Sequence, residues 1–226
     1  MSAETPSTAN CTSSTSRSRT PSEDAPGTGD EFSRPQAPRS RFAWCITGSG
    51  HFLEESIALA GRLPRVDLFL SDAAEEVLPI YKLRLEDLRP RFGPGFRLVR
   101  DKTASAVPVG MLYDDIYHTV VVAPATSNTV AKCAFGISDS LPTNMFAQAG
   151  KLGIPGIVFA CDTEPVVVTK SPHDWVTLRP RGIEFDNVER LKRIDFCEVV
   201  SSPAELEAAL ARRLHALALE WNTSYS

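Results

Sequence analysis

The chain has 226 residues, and its 24 Lys and Arg against 28 Asp and Glu give a formal net charge of −4. This balance excludes a protein that binds nucleic acid through a strongly basic surface. Apolar residues make up 42% of the chain, which is enough for a buried core. No uninterrupted apolar run approaches the roughly 18 residues of a membrane span, so we expect neither a membrane segment nor a nucleic-acid partner.

Residues 1–40 differ in composition from the rest of the chain. They contain no Val, Leu, Ile, Trp or Tyr, and half of them are Ser, Thr or Pro. Such a segment cannot bury enough apolar surface to offset the entropy lost on ordering. We therefore expect a disordered extension over residues 1–40, followed by a single domain over residues 41–226.

The cysteines indicate the compartment. Cys11, Cys45, Cys133, Cys161 and Cys197 are odd in number, far apart and without the C-x-x-C spacing of a zinc or redox site. We read them as reduced thiols of a cytoplasmic protein with no metal centre.

From residue 42 onward, apolar strands alternate with amphipathic helices. Strands are predicted at residues 42–47, 66–70, 96–99, 119–123, 156–160 and 197–200, and helices at residues 52–63, 71–80, 127–135, 144–152 and after Ser202. Residues 162–195 contain several prolines and are expected to be irregular. This alternation predicts an α/β fold with a three-layer, doubly wound parallel sheet, Rossmann-like or flavodoxin-like.

Ligands of such sheets bind beyond the carboxyl ends of the strands. The first strand ends in a glycine turn at residues 47–51, where the backbone can approach an anion closely. A dinucleotide fingerprint would need a glycine at position 53, which is Leu53, so NAD is disfavoured. The turn could also serve only to pack a helix on the sheet.

A second polar turn follows the fourth strand. Thr126, Ser127, Asn128 and Thr129 place three hydroxyls and an amide at a predicted helix start, which favours a neutral phosphate cradle. No P-loop lysine accompanies them, and plain helix capping would need only one such side chain.

Residues 123–132 with Gly136 and Asp139, together with the glycine turn, resemble the motifs of the homo-oligomeric flavin-containing cysteine decarboxylase superfamily. The resemblance covers most of residues 42–200 and implies bound FMN, with subunits assembled as trimers or larger homo-oligomers. It implies these FMN-binding positions: Thr47, Gly48, Ser49, Gly50, Ser71, Ala125, Thr126, Ser127, Asn128 and Thr129.

The chain departs from the decarboxylases of that family. Their substrate segment after the fifth strand is replaced by residues 160–165, and His118 abuts the fourth strand without the usual surroundings of their catalytic histidine. Residues 44–53 and 178–191 instead resemble the archaeoflavoprotein branch and its FMN-dependent dihydromethanopterin reductases. The resemblance implies hydride transfer from reduced FMN to a dihydropterin by a ping-pong reaction with a separate electron donor. A flavin decarboxylase and a flavin electron carrier without a small substrate remain alternatives.

Candidate residues for that reaction follow from their positions. His51 in the glycine turn and Asp162 after the fifth strand are candidate proton donors, although either could simply cap or lie at the surface. Lys170, Arg179 and Arg181 could bind the anionic tail of a methanopterin, or they could be ordinary solvated cations.

Overall fold

The computed structural model describes residues 39–93, 95–102, 107–171 and 173–222, so residues 1–38 of the predicted extension lie outside the described residues. The strands in the described ranges are Arg41–Ile46 (β1), Val66–Leu70 (β2), Leu98–Arg100 (β3), Tyr117–Ala125 (β4), Gly156–Ala160 (β5), Val167–Lys170 (β6), Trp175–Leu178 (β7) and Cys197–Val200 (β8). The helices there are Leu53–Gly61 (α1), Asp72–Ile80 (α2), Leu85–Leu88 (α3), Ser127–Ala134 (α4), Leu141–Lys151 (α5), Gly182–Leu191 (α6) and Pro203–Ala216 (α7). Short 3-10 turns occur at Arg89–Phe92 and Val107–Leu112.

Six strands form a parallel sheet in the order β3-β2-β1-β4-β5-β8. From β1, the strands β2 and β3 are added in turn toward one edge of the sheet. The chain then crosses back to β4 on the other side of β1, and β5 and β8 are added toward the opposite edge. The direction therefore reverses between β1 and β4. In open α/β sheets the ligand crevice lies at this reversal, beyond the carboxyl ends of the strands.

Buried residues cover both faces of the sheet. All nine residues of β4 are buried, as expected for a central parallel strand. Trp44 packs with Ile57 of α1 and Leu210 of α7 on one face, while Cys45 packs with Met145 of α5 on the other. These layers confirm the predicted three-layer, doubly wound fold.

The expectation that residues 162–195 are irregular is wrong. They contain an antiparallel hairpin of β6 and β7 and the ten-residue helix α6. The prolines lie between these elements rather than inside them, since Pro165 precedes β6 and Pro180 precedes α6. The hairpin strands also have largely exposed side chains, and their apolar runs, at residues 166–168 and 175–176, are short.

Some boundaries also differ from the prediction. Helix α5 begins at Leu141 rather than at residue 144, because Pro142 is tolerated in a first turn and Ser140 forms a capping box with Thr143. Strand β4 extends two residues further at each end than predicted. Among the described residues no helix combines the length and apolar character needed to cross a bilayer.

Candidate functional site

The glycine turn between β1 and α1 is tied to the ends of two neighbouring strands. Thr47 Oγ1 donates to the carbonyl oxygen of Pro124 at 2.7 Å and accepts the backbone N–H of Thr126 at 3.0 Å. Ser49 Oγ donates to the Sγ of Cys161, just after β5, at 3.3 Å. These bonds hold the turn against the ends of β4 and β5, at the predicted ligand edge.

Both glycines of the turn are required by close contacts. A Cβ at Gly48 would lie 2.7 Å from the Cβ of Ala73 at the start of α2, and a Cβ at Gly50 would lie 2.0 Å from the Tyr81 hydroxyl. The turn therefore packs directly against α2 and Tyr81, and no side chain fits at either glycine position without displacing them.

Two helix N-termini with capping hydroxyls lie beside the turn. Thr126 caps α4, where its Oγ1 accepts the N–H of Thr129 at 3.2 Å, and Ser71 caps α2 by accepting the N–H of Ala74 at 3.1 Å. Asn128, in the first turn of α4, is exposed. Both helices are thus aligned to offer free N–H groups and the positive end of a dipole to an anion.

A cleft of about 570 Å³ lies at these helix ends. Six of the predicted cofactor positions line it: Thr47, Gly48, Ser71, Thr126, Asn128 and Thr129. The other four, Ser49, Gly50, Ala125 and Ser127, lie outside that lining.

The charges in the cleft are mixed. Lys132 pairs with Asp139 at 2.9 Å, and Asp101 accepts the N–H of Leu141 at the start of α5 at 2.7 Å. Burial raises the pKa of Asp101 above its ordinary value, and the nearby carboxylates of Asp72 and Asp139 add to the rise. The cleft therefore offers hydroxyl, amide and backbone donors to a phosphate, rather than a strong excess of cations.

His51 lies outside that cleft, in a separate cavity of about 320 Å³. Its Nδ1 is hydrogen-bonded to Thr169 Oγ1 of β6 at 3.0 Å, and its Nε2 has no hydrogen-bond partner among the described residues. Burial lowers the pKa of His51 below its ordinary value, and the charges of Asp162 and Glu55 oppose this shift in part. The predicted substrate residue Lys170 lines the same cavity.

Asp162 lines a third cavity, of about 270 Å³, with Ser127, Arg179 and Arg181. Ser127 Oγ donates to the Asp162 carboxylate. Arg181 is paired with Glu184 in the first turn of α6, so part of its donor capacity is used within its own helix. Arg179 is exposed. The predicted substrate residues thus divide between two cavities rather than meeting in one.

Sequence reasoning missed the contribution of the hairpin. Because residues 162–195 were expected to be irregular, Thr169 was not considered and Trp175 was given no role in the site. Tyr81, which directly follows α2, was also overlooked. Tyr81 donates to the carbonyl oxygen of Lys170 at 2.9 Å and so fastens the hairpin to the glycine turn. The run of β-branched residues from Val166 to Thr169 is the signal that could have revealed β6.

Cys161 is fully enclosed beside the turn. Burial raises the pKa of its thiol to about 12, so it stays protonated at neutral pH. This agrees with its interpretation as a small buried apolar group. The other cysteines in the described ranges are also free thiols, and Cys11 lies outside those ranges.

Comparisons with known proteins identify the family. The family model described as Flavoprotein matches residues 33–221. An uncharacterized protein of Methanocaldococcus jannaschii is 36% identical over 185 residues, which cover 77% of this chain and 96% of that protein. A dihydromethanopterin reductase (acceptor) of Methanosarcina mazei is 37% identical over 143 residues, which cover 59% of this chain and 60% of the reductase.

Solved structures agree with the fold and the family. Burkholderia xenovorans DmrB, crystallised in complex with FMN and described as a cubic protein cage for redox transfer, is 69% identical, with a TM-score of 0.75 over 80% of this chain and 99% of that chain. A phenylacrylic acid decarboxylase from Aquifex aeolicus is 20% identical with a TM-score of 0.56, a likeness of fold alone. The predicted resemblance is confirmed, and the chain belongs to the flavoprotein family.

Proposed function

We propose that this chain is an FMN-dependent oxidoreductase that reduces dihydromethanopterin to tetrahydromethanopterin. The observation that carries the proposal is the 69% identity to DmrB, a protein crystallised with FMN, over 99% of its chain. The 37% identity to dihydromethanopterin reductases supports the substrate. This chain matches those reductases over only about three fifths of their length, so the identity of the substrate as a pterin is itself proposed.

The donors in the cleft at the α2 and α4 N-termini fit the phosphate of FMN. A phosphate bound there would accept hydrogen bonds from backbone N–H groups at the start of α4 and from the exposed Asn128 amide. The Ser71 hydroxyl, which accepts at the α2 cap, keeps its proton free to donate. FMN supplies the two-electron chemistry when it is bound.

His51 is proposed to move the proton that accompanies hydride transfer to the pterin. Its hydrogen bond to Thr169 fixes the ring, and Nε2 is the nitrogen that can reach a substrate. The lowered pKa of His51 favours the neutral imidazole near pH 7, while the nearby Asp162 and Glu55 charges keep protonation accessible. Asp162 is proposed to act on His51 through its negative charge, while its hydrogen bond from Ser127 holds the carboxylate in place.

Cations on both sides of the hairpin are proposed to bind the anionic substrate tail. Lys170 lies in the His51 cavity, and Arg179 lies in the Asp162 cavity. Because β6 and β7 connect the two cavities, a long tail could reach either cation. Arg181 is the weaker candidate, since Glu184 already holds its guanidinium.

Assembly and electron supply complete the proposal. We propose a homo-oligomer built from trimers, which the cage described for DmrB supports. Turnover is ping-pong, with an electron donor binding first and the pterin second. We also propose a cytoplasmic location.

Initial-rate kinetics test this function. Reduced methyl viologen serves as the electron donor, dihydromethanopterin is varied, and tetrahydromethanopterin is measured directly under anaerobic conditions. The proposal predicts product formation with parallel double-reciprocal lines, and release of carbon dioxide from an added carboxylated substrate is not expected. Absence of any pterin product from flavin-loaded protein would contradict the proposal, and intersecting lines would contradict its ping-pong order.

A further inference from the structure

The cavity that contains His51 lies between the start of α1 and the β6–β7 hairpin. Its walls include Gly50, Glu55, Thr169 and Trp175, and its volume is about 320 Å³. This is the lower end of the roughly 300–1,000 Å³ range of small-molecule sites. The His51–Thr169 and Tyr81–Lys170 hydrogen bonds hold the two walls together, so the cavity is built into the fold.

Aromatic rings line this cavity in an unusual arrangement. Trp175 is 71% exposed, and its indole is available to cover a flat ring. Phe52 has a left-handed backbone with φ of 60°, which costs energy for a non-glycine residue. That conformation places the Phe52 ring 3.6 Å from the His51 ring and 4.9 Å from the Phe159 ring, measured between centroids. The Phe52 ring therefore packs against His51 at the cavity.

Two carboxylates complete the lining. Glu54 and Glu55 are both exposed, and neither has a hydrogen-bond or ion-pair partner among the described residues. Acidic residues in a first helical turn also stabilise the helix, so the carboxylates alone would not define a site. These two carboxylates differ from ordinary first-turn acidic residues because they line an aromatic cavity together with His51. Glu55 is close enough to His51 for its charge to raise the pKa of that imidazole.

We propose that this cavity binds the pterin head of the substrate, with Trp175 over the ring and the Glu55 carboxylate paired with the 2-amino and N3–H groups. This inference rests on the proposed function. The two adjacent N–H donors of a 2-amino-4-oxopyrimidine match the two oxygens of a carboxylate, giving a bidentate, charge-assisted pair. Lys170, which pairs with Trp175 across the hairpin, is then at the rim where the anionic tail leaves.

The same chemistry argues against the flavin ring as occupant. In a flavin, the N3–H group lies between two carbonyl oxygens, and these acceptors would face the carboxylates of Glu54 and Glu55. The larger cleft has the helix N-termini that suit the FMN phosphate. The two spaces adjoin the same turn, because Gly48 lines the cleft and Gly50 lines the cavity.

Equilibrium dialysis of oxidised, FMN-loaded protein tests the assignment without turnover. The two probes are 6-methylpterin and 6-methyllumazine, which has a carbonyl in place of the 2-amino group. The wild-type chain is expected to prefer the pterin, and Glu55→Gln is expected to reduce this preference by about tenfold with unchanged FMN content. Trp175→Leu is expected to weaken the binding of both probes equally, because stacking on the ring face does not distinguish an amino group from a carbonyl at the ring edge.

Glu76→Gln is the matched control, since Glu76 is an exposed glutamate on α2 that is not part of the cavity lining. It is expected to keep the wild-type preference. Loss of FMN in Glu55→Gln would overturn the inference by placing the flavin in this cavity. An unchanged pterin preference in Glu55→Gln would overturn it while leaving the reductase function intact. If the wild-type chain binds neither probe and no dihydromethanopterin, the proposed function fails together with the inference.

Discussion

Asp67 on β2 is a fully buried carboxylate that accepts hydrogen bonds from three residues. It accepts from Arg41 Nε at 2.7 Å, from the Tyr117 hydroxyl at 2.8 Å and from the backbone N–H of Arg97 at 2.9 Å. Burial, followed by the Asp67 charge, raises the pKa of Tyr117 well above its ordinary value, so its hydroxyl remains a donor. These bonds connect β1, β2 and β4 away from the ligand edge.

Asp67→Asn should lower the free energy of unfolding by about 3–5 kcal/mol, because the largely buried Arg41 guanidinium loses its counter-charge. Urea denaturation measures the change. Glu207→Gln is the control, since the Arg62–Glu207 pair is exposed and should contribute less than about 1 kcal/mol. A loss below about 1 kcal/mol in Asp67→Asn would contradict this reading of the network.

His118 is a second buried polar residue, near the beginning of β4. Its Nδ1 is hydrogen-bonded to Thr119 Oγ1 at 2.8 Å and its ring lies against Phe42. Its Nε2 is buried and has no hydrogen-bond partner in the part of the chain that the structure describes. Burial lowers the pKa of His118 to about 4, and the charges of Arg213 and Arg39 contribute to the shift. His118 lies at the opposite end of β4 from the α4 N-terminus.

The lowered pKa of His118 should make the fold sensitive to acid. The unfolded chain binds a proton near pH 6.5 and the folded chain only near pH 4, so stability falls as the pH drops through that interval, by up to roughly 3 kcal/mol. In His118→Phe, which keeps the packing against Phe42, that part of the loss should disappear. The urea midpoints of the wild type and of His118→Phe are compared at about pH 7 and about pH 4. An equal loss of stability between these pH values in both proteins would refute the role of His118.

At the scale of elements, sequence reasoning succeeded where burial was complete and failed where it was partial. The β4 strand was located because a strand buried on both faces appears in the sequence as an apolar run. The α4 N-terminus was located because a helix cap places a hydroxyl side chain directly before the first helical residue. The hairpin of β6 and β7 was missed because its half-exposed strands have only short apolar runs. Its contacts to the glycine turn could not be predicted, since His51 and Thr169 are 118 positions apart.

The α4 N-terminus is the element on which the FMN assignment depends. Asn128→Ala combined with Thr129→Ala should lose FMN and keep the fold, because a cleft-lining amide and hydroxyl disappear. Flavin content per chain and the circular dichroism spectrum measure the two effects. Asn144→Ala on α5 is the control, because Asn144 donates within its own helix and is not part of the cleft lining. Full flavin occupancy in the double variant would place the phosphate elsewhere.

At the scale of the whole molecule, strand order decided where the site could lie. The sequence predicted the parallel three-layer sheet, and the observed reversal between β1 and β4 brings the glycine turn and the hydroxyl turn together. The division of the edge into three separate cavities was not predictable, because it depends on how the hairpin and α6 close over the strand ends. Nor could the mixed charge of the cleft be seen from the net charge of −4.

The proposed assembly gives a prediction at this scale. If neighbouring subunits complete the FMN contacts, dilution should release flavin as the oligomer dissociates. Sizing chromatography with absorbance at the flavin band measures both together. A monomer that retains its full flavin content would contradict a cofactor site shared between subunits.

The central claim, that this flavoprotein passes electrons to a pterin, is tested most directly by a single turnover. Flavin-loaded protein is photoreduced without oxygen and then mixed with dihydromethanopterin while the visible flavin absorbance is followed. We expect the oxidised flavin spectrum to return as an equal amount of tetrahydromethanopterin forms. A flavin that stays reduced in excess dihydromethanopterin would contradict it.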